Sequence, residues 1–172
     1  IGGTYTLQDA LTVTDGITIT NGTLDTKSGG NYAISVGGNW SNAGTFTARS
    51  GTVTLTSTGP GSTGITPGGS SFYNLTQNGS GGTSILQGAL TVTNNLTITA
   101  GTLDVKNGSN YAVSVGGNFS NAGTFTARSG TVTLTGTDSD NTLTSGGTTF
   151  YNLTQNGSGG TYTMQDALTA SN

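Results

Sequence analysis

Residues 41–56 recur without a single change as 120–135, and 72–80 recur as 150–158. Gly2-Gly3-Thr4 returns as Gly81-Gly82-Thr83 and again as Gly159-Gly160-Thr161, after which 159–172 follow the pattern of 2–15. The chain therefore reads as copies at 2–80 and 81–158 with a partial copy at 159–172, forming one continuous segment over 1–172. Near-identical tandem units arise in arrays that lengthen by duplication, in which the array and not the unit carries the function. The abrupt end of the third copy leads us to expect either a piece of a longer protein or a subunit whose partial repeat continues into a neighbour.

Inside each unit, apolar and β-branched polar residues alternate. Leu11-Thr12-Val13-Thr14, Ile17-Thr18-Ile19-Thr20 and Val53-Thr54-Leu55-Thr56 have the period of two that gives a strand one buried face, and they return in the second copy. Gly-bearing turn sequences such as Asp15-Gly16, Asn21-Gly22 and Gly37-Gly38-Asn39 separate them. A smaller Gly-Thr-apolar motif recurs at Gly22-Thr23-Leu24, Gly44-Thr45-Phe46 and Gly51-Thr52-Val53. This sub-repeat suits a right-handed parallel β-helix (β-solenoid) with about three coils per repeat, divided at 17–39, 40–70 and 71–95, with the glycine-rich stretch 60–69 leaving the scaffold as an excursion. Leu11, Val13, Ile17, Ile19, Leu24, Ile34, Val36, Phe46, Val53, Leu55, Phe72 and Leu75 are then the inward columns. The alternative is tandem β-sandwich domains, which fit the unit length but call for a domain boundary where the sequence shows an ordinary turn.

Composition excludes several classes of function. Four Lys and Arg stand against seven acids, all Asp, for a net charge of −3. No basic stripe exists to hold phosphates, so nucleic acid is not an expected partner. Cys and His are absent, which removes disulfides, thiolate chemistry and the commonest general base, and no cofactor is expected. No stretch approaches the roughly 20 apolar residues of a membrane span, and Ile1 falls within a repeat, so neither signal peptide nor anchor is visible in this segment.

The runs at 37–46 (GGNWSNAGTF), 50–55 (SGTVTL) and 72–76 (FYNLT) resemble the strand-repeat segments of very large bacterial cell-surface and secreted proteins. These are similar to filamentous-haemagglutinin-type and autotransporter passenger β-helices. The resemblance covers essentially the whole chain and implies an extracellular stalk, filament or adhesin shaft at the cell surface. It transfers no catalytic residue.

Side-chain chemistry points the same way. Polysaccharide-processing β-helices need a clustered acid and base, but Glu is absent, and Asp138 and Asp140 are the one close pair of acids. That pair reads as a solvated turn, with a weak Ca²⁺ site as the sharper reading. No enzyme is expected. Lys27 with Asp25 and Lys106 with Asp104 read as solvated charge pairs, while Arg49 and Arg128 are expected to snorkel or to bond carbonyls at a turn. Repeated Thr-x-Thr raises ice binding, against which the expected coil alignment argues, because it sets Thr18 over Ser41 and then Tyr73. Asn21, Asn39, Asn74, Asn78, Asn95, Asn107, Asn118, Asn152 and Asn156 begin Asn-x-Ser/Thr triplets, glycan acceptors in a secreted glycoprotein or stacked turn residues otherwise. Tyr32, Trp40, Tyr73, Tyr111, Phe119 and Tyr151 either line a sugar-binding strip or fill coil corners and core. The expected function is a non-catalytic structural repeat of an extracellular filament or adhesin, with a carbohydrate- or host-binding module as the alternative. Its expected partners are copies of itself, stacked end to end or bundled laterally, with surface glycans or a host receptor as the alternative.

Overall fold

The computed structural model describes residues 2–172; Ile1 lies outside the described residues. They form strands and turns, with no helix among them, and every strand pairing is parallel. The chain winds as a three-faced β-solenoid, laying one strand on each face in turn.

The second face is the most continuous. Its eight strands stack in the order Leu11–Val13, Ile34–Val36, Thr52–Leu55, the first half of Asn74–Leu86, the first half of Leu96–Asp104, Phe119–Asn121, Asn141–Thr144 and Tyr162–Met164. The third face carries Ile17–Ile19, Trp40–Asn42 and Ser62–Thr66, then the second halves of the two long strands, Thr124–Thr126, Thr149–Phe150 and Thr169–Ala170. The first face starts with Thr4–Thr6, Thr23–Asp25 and Thr45–Thr47. At residues 70–72 its main-chain pairing gives way to a bond from the Phe46 N–H to Ser70 Oγ, and it resumes at the Phe72 to Val92 bridge. Leu90–Val92, Val113–Val115, Thr131–Leu134 and Asn152–Gln155 complete it.

Period-two alternation holds throughout. Ile34, Val36, Val53, Leu55, Leu75, Leu96, Ile98, Val113, Val115 and Phe119 are buried in one continuous core, with Leu11, Val13 and Leu24 partly buried against it. Aromatic side chains fill one corner in each copy. Trp40 meets Phe46 and Phe72 with centroids 4.8 and 5.2 Å apart, and Phe119 meets Phe125 and Phe150, each at 5.5 Å.

The coils differ from the expected division. Successive partners on the second face run Leu11, Ile34, Val53, Leu75 and Leu96, so four turns carry the chain from position 11 to position 96. These turns are shorter than the coils expected at 40–70 and 71–95. Stretch 60–69 is no excursion, because Ser62–Thr66 is a core strand whose Ile65 sits on Trp40 and under Leu86. A run with Ile65 pointing inward between two glycine turns has a strand pattern too short to stand out among its flanking glycines.

Each repeat contributes eleven strand segments, from Thr4–Thr6 to the first half of Asn74–Leu86 and counting the Phe72 bridge. Three strands make a turn, so one repeat spans three and two-thirds turns. Repeat counterparts therefore never stack on one another. Thr4–Thr6 lies on the first face, its counterpart around Thr83–Ile85 on the third, and Tyr162–Met164 on the second. Leu11–Val13 behaves alike, its counterparts Leu90–Val92 and Thr169–Ala170 lying on the first and third faces.

Candidate functional site

Two surface features stand out: hydroxyl columns on the faces and a charged corner in each repeat. On the second face, Thr12, Ser35, Thr54, Thr76, Thr97, Ser120 and Thr144 form an unbroken outward column, one hydroxyl in each of seven layers. Parallel strand spacing puts them about 4.8 Å apart. The third face has Ser62, Thr83, Thr102 and Thr124 in the same relation, and the first has Thr91, Ser114, Thr133 and Thr154. The expected alignment holds for Thr18 over Ser41 and is corrected at its next step, where Ser41 pairs with Thr66 and not with Tyr73.

Beside the second-face column runs a ladder of asparagines. Asn74 Nδ2 donates to Thr52 Oγ1 at 3.3 Å, and Asn74 Oδ1 accepts from the Asn95 N–H at 3.2 Å. Asn95 Oδ1 accepts from the Asn118 N–H at 2.8 Å, and Asn118 Oδ1 from the Thr142 N–H at 2.7 Å. Each side chain replaces the main-chain bond that a strand entering from a turn lacks. Of the triplet asparagines, Asn74, Asn95, Asn118 and Asn152 are half-buried with bonded side chains, and Asn39, though exposed, accepts from the Gly64 N–H through Oδ1. Asn21, Asn78, Asn107 and Asn156 are exposed.

All four cationic side chains lie in two equivalent corners. In the first copy, Arg49 donates from Nε to Asp25 Oδ1 at 2.9 Å and from Nη2 to Oδ2 at 2.7 Å, a two-pronged pair joining adjacent coils. The Lys27 N–H donates to the same Asp25 Oδ1 at 2.9 Å, while Lys27 Nζ donates to Gln8 Oε1 at 2.8 Å and stands 5.7 Å from the Tyr32 ring centroid. Asp104, Arg128, Lys106, Gln87 and Tyr111 reproduce every one of these contacts. Lys27, Asn31 and Arg49 adopt left-handed φ of 69°, 49° and 50°, and Asn31 Oδ1 accepts from the Ser50 N–H at 3.1 Å.

The expected Lys–Asp charge pairs and carbonyl-bound arginines are therefore corrected: the lysine side chain goes to a glutamine and the arginine takes the carboxylate. The signal is present in the sequence. Asp25 and Arg49 are separated by about one coil's length of chain, and Asp104 and Arg128 by the same length. The Arg49 guanidinium holds the Asp25 carboxyl below the usual carboxylate range against the opposing effect of burial, and Arg128 does the same for Asp104. Main-chain N–H groups of Ser145 and Gly146 likewise lower Asp166.

Asp138 and Asp140 are exposed on a turn between the first and second faces, where the Asp138 and Ser139 carbonyls accept bonds from Thr161 of the next coil. Among the described residues no group of three or more acidic, His or Cys side chains comes together. Of the aromatics, Trp40 and Phe119 are core, while Tyr32, Tyr73, Tyr111 and Tyr151 are half-buried at corners. No family model, curated protein or solved structure matches this chain.

Proposed function

We propose that this chain is a length of a rigid extracellular shaft, the structural repeat of a bacterial cell-surface filament or adhesin, and that its work is mechanical. The observation that carries this reading is the 13-residue strand Asn74–Leu86, which spans the boundary between the first and second copies as it passes from the second face to the third, paired on both sides of a register shift. No linker interrupts the core there, so added repeats lengthen one body and do not add hinged beads. Uncharged faces and main-chain bonds in every layer suit a rod exposed to changing salt and proteases. The resemblance to strand-repeat surface proteins supports the same setting. Electron microscopy of the parent protein tests it: rods of constant width that lengthen by about 18 Å per repeat are expected, and beads joined by flexible links would refute it.

A second reading rests on the second-face hydroxyl column, which the actual register makes continuous. A regular, uncharged column of hydroxyl groups with fixed amides beside it suits a ligand that is itself a lattice of oxygens, and ice is the simplest one. Ice growth in the presence of the chain should then slow and change shape, and Thr76→Lys should abolish the effect. Ice growing as in buffer alone removes this reading.

A further inference from the structure

Eleven strand segments per repeat on a three-faced coil give the array a symmetry that the sequence repeat does not reveal. We infer that in any array continuing these repeats, each repeat acts as a three-fold screw step, so that its single charged, tyrosine-bearing corner faces a different side of the rod from the corners before and after it. The inference deepens the shaft reading and rests on it. The corner of Asp25, Lys27, Tyr32 and Arg49 lies between the first and second faces, since it joins Thr23–Asp25 to Ile34–Val36. The corner of Asp104, Lys106, Tyr111 and Arg128 joins the second half of Leu96–Asp104 to Val113–Val115, between the third and first faces. The internal contacts are the same at both; their direction differs by a third of a turn.

The step of three and two-thirds layers corresponds to about 18 Å along the axis, and a given edge shows its corner again after eleven layers, about 53 Å. Three segments of the chain complete the cycle within these residues, since the Thr4–Thr6, Thr83–Ile85 and Tyr162–Met164 counterparts occupy all three faces. The consequence concerns partners. A flat surface lying along one side of the shaft reaches one corner in three. Partners that surround it, such as neighbouring copies of the rod, reach them all.

The chain has no Cys, so paired spin labels can be placed cleanly. Ser28 and Asn107 are exposed repeat counterparts in the two corners, and Ser139 is exposed on the same edge as Ser28, five layers away. Labels at Ser28→Cys and Ser139→Cys should lie about 24 Å apart, which tests the rod itself. Labels at Ser28→Cys and Asn107→Cys should lie about 28 Å apart, combining a rise of about 18 Å with one face width of about seven residues. A Ser28 to Asn107 distance of about 14 Å, the height of three layers on one edge, would overturn the screw even where the first distance upholds the rod.

Discussion

Arg49 holds Asp25 of the preceding coil through two parallel hydrogen bonds of 2.9 and 2.7 Å, and Arg128 holds Asp104 in the same way one repeat later. The pair ties the side of the turn at residues 26–33 to the turn above it, where left-handed residues would otherwise be free to open. Its carboxylates are the nearly buried members, with side chains 12% and 9% exposed against 42% and 39% for the arginines.

The first prediction is a loss of stability in acid. The folded-state pKa values of Asp25 and Asp104 are depressed. Their contribution is therefore complete above the unfolded carboxylate value of about 3.9 and is lost as pH falls through the lower folded values. Thermal melting should be flat from pH 7 to about 5 where these groups are concerned and should fall below about 4. The double variant Asp25→Asn, Asp104→Asn should melt lower at pH 7 and lose much of that acid slope. An unchanged slope would show that the two corners do not set the acid limit.

Arginine should not be replaceable by lysine there. Lys keeps the charge but cannot supply the two-pronged fork. Arg49→Lys should therefore resemble Arg49→Ala more than wild type in hydrogen exchange of the 26–33 turn, the region the pair closes.

Trp40 and Phe119 occupy the same repeat position, and the exchange between them predicts a tolerant site. Trp40 Nε1 is buried with no hydrogen-bond partner, so Trp40→Phe removes apolar volume but also relieves an unsatisfied donor. The two effects are each about 1–3 kcal/mol and opposed, which leaves a net change within about 2 kcal/mol of either sign. Trp40→Ala, which empties the corner against Phe46 and Phe72, should cost about 3–5 kcal/mol. Denaturant melts of both variants check this.

Gly136 and Tyr162 form a coupled pair. The Tyr162 hydroxyl accepts from the Gly136 N–H at 3.2 Å and donates toward the Gly117 carbonyl at 3.0 Å, and a Cβ on Gly136 would stand 2.5 Å from Asn141 Nδ2 and 2.6 Å from both that hydroxyl oxygen and the Gly116 carbonyl oxygen. One repeat earlier, Ser57 and Ser84 stand at these positions. Gly136→Ser should destabilise by about 1–3 kcal/mol as an overpacked site. Adding Tyr162→Ser and Asn141→Thr, the residues found one repeat earlier, should recover the part of the loss owed to the hydroxyl and the amide, while the close Gly116 carbonyl keeps the remainder in the same denaturant melts.

The parts of this fold that the sequence shows are those set by local periodicity. Thr12 between Leu11 and Val13 announces a one-sided strand, and Gly37-Gly38-Asn39 announces a turn, so the parallel solenoid and its inward residues are legible. Register is not local. It depends on which strand lies over which, and a sequence repeat of eleven strands invites the assumption that repeats stack on repeats. Ser62–Thr66 is hard to see because only Ile65 marks its core side. The charged corner is half legible. Asp25 and Lys27 are neighbours in sequence and suggest a pair, while the actual partners, Arg49 for the acid and Gln8 for the lysine, are each about a coil away.

Register is also where the account is most exposed, and engineered disulfides read it directly. Parallel neighbours sit about 4.8 Å apart, within disulfide range. The double variant Ser41→Cys, Thr66→Cys should oxidise to an intramolecular disulfide in the folded chain, as should Thr76→Cys, Thr97→Cys. Ser41→Cys, Tyr73→Cys should remain reduced. Mass spectrometry of the oxidised, digested proteins decides the matter: linkage at 41–66 and 76–97 supports a repeat of three and two-thirds turns, and linkage at 41–73 would contradict it.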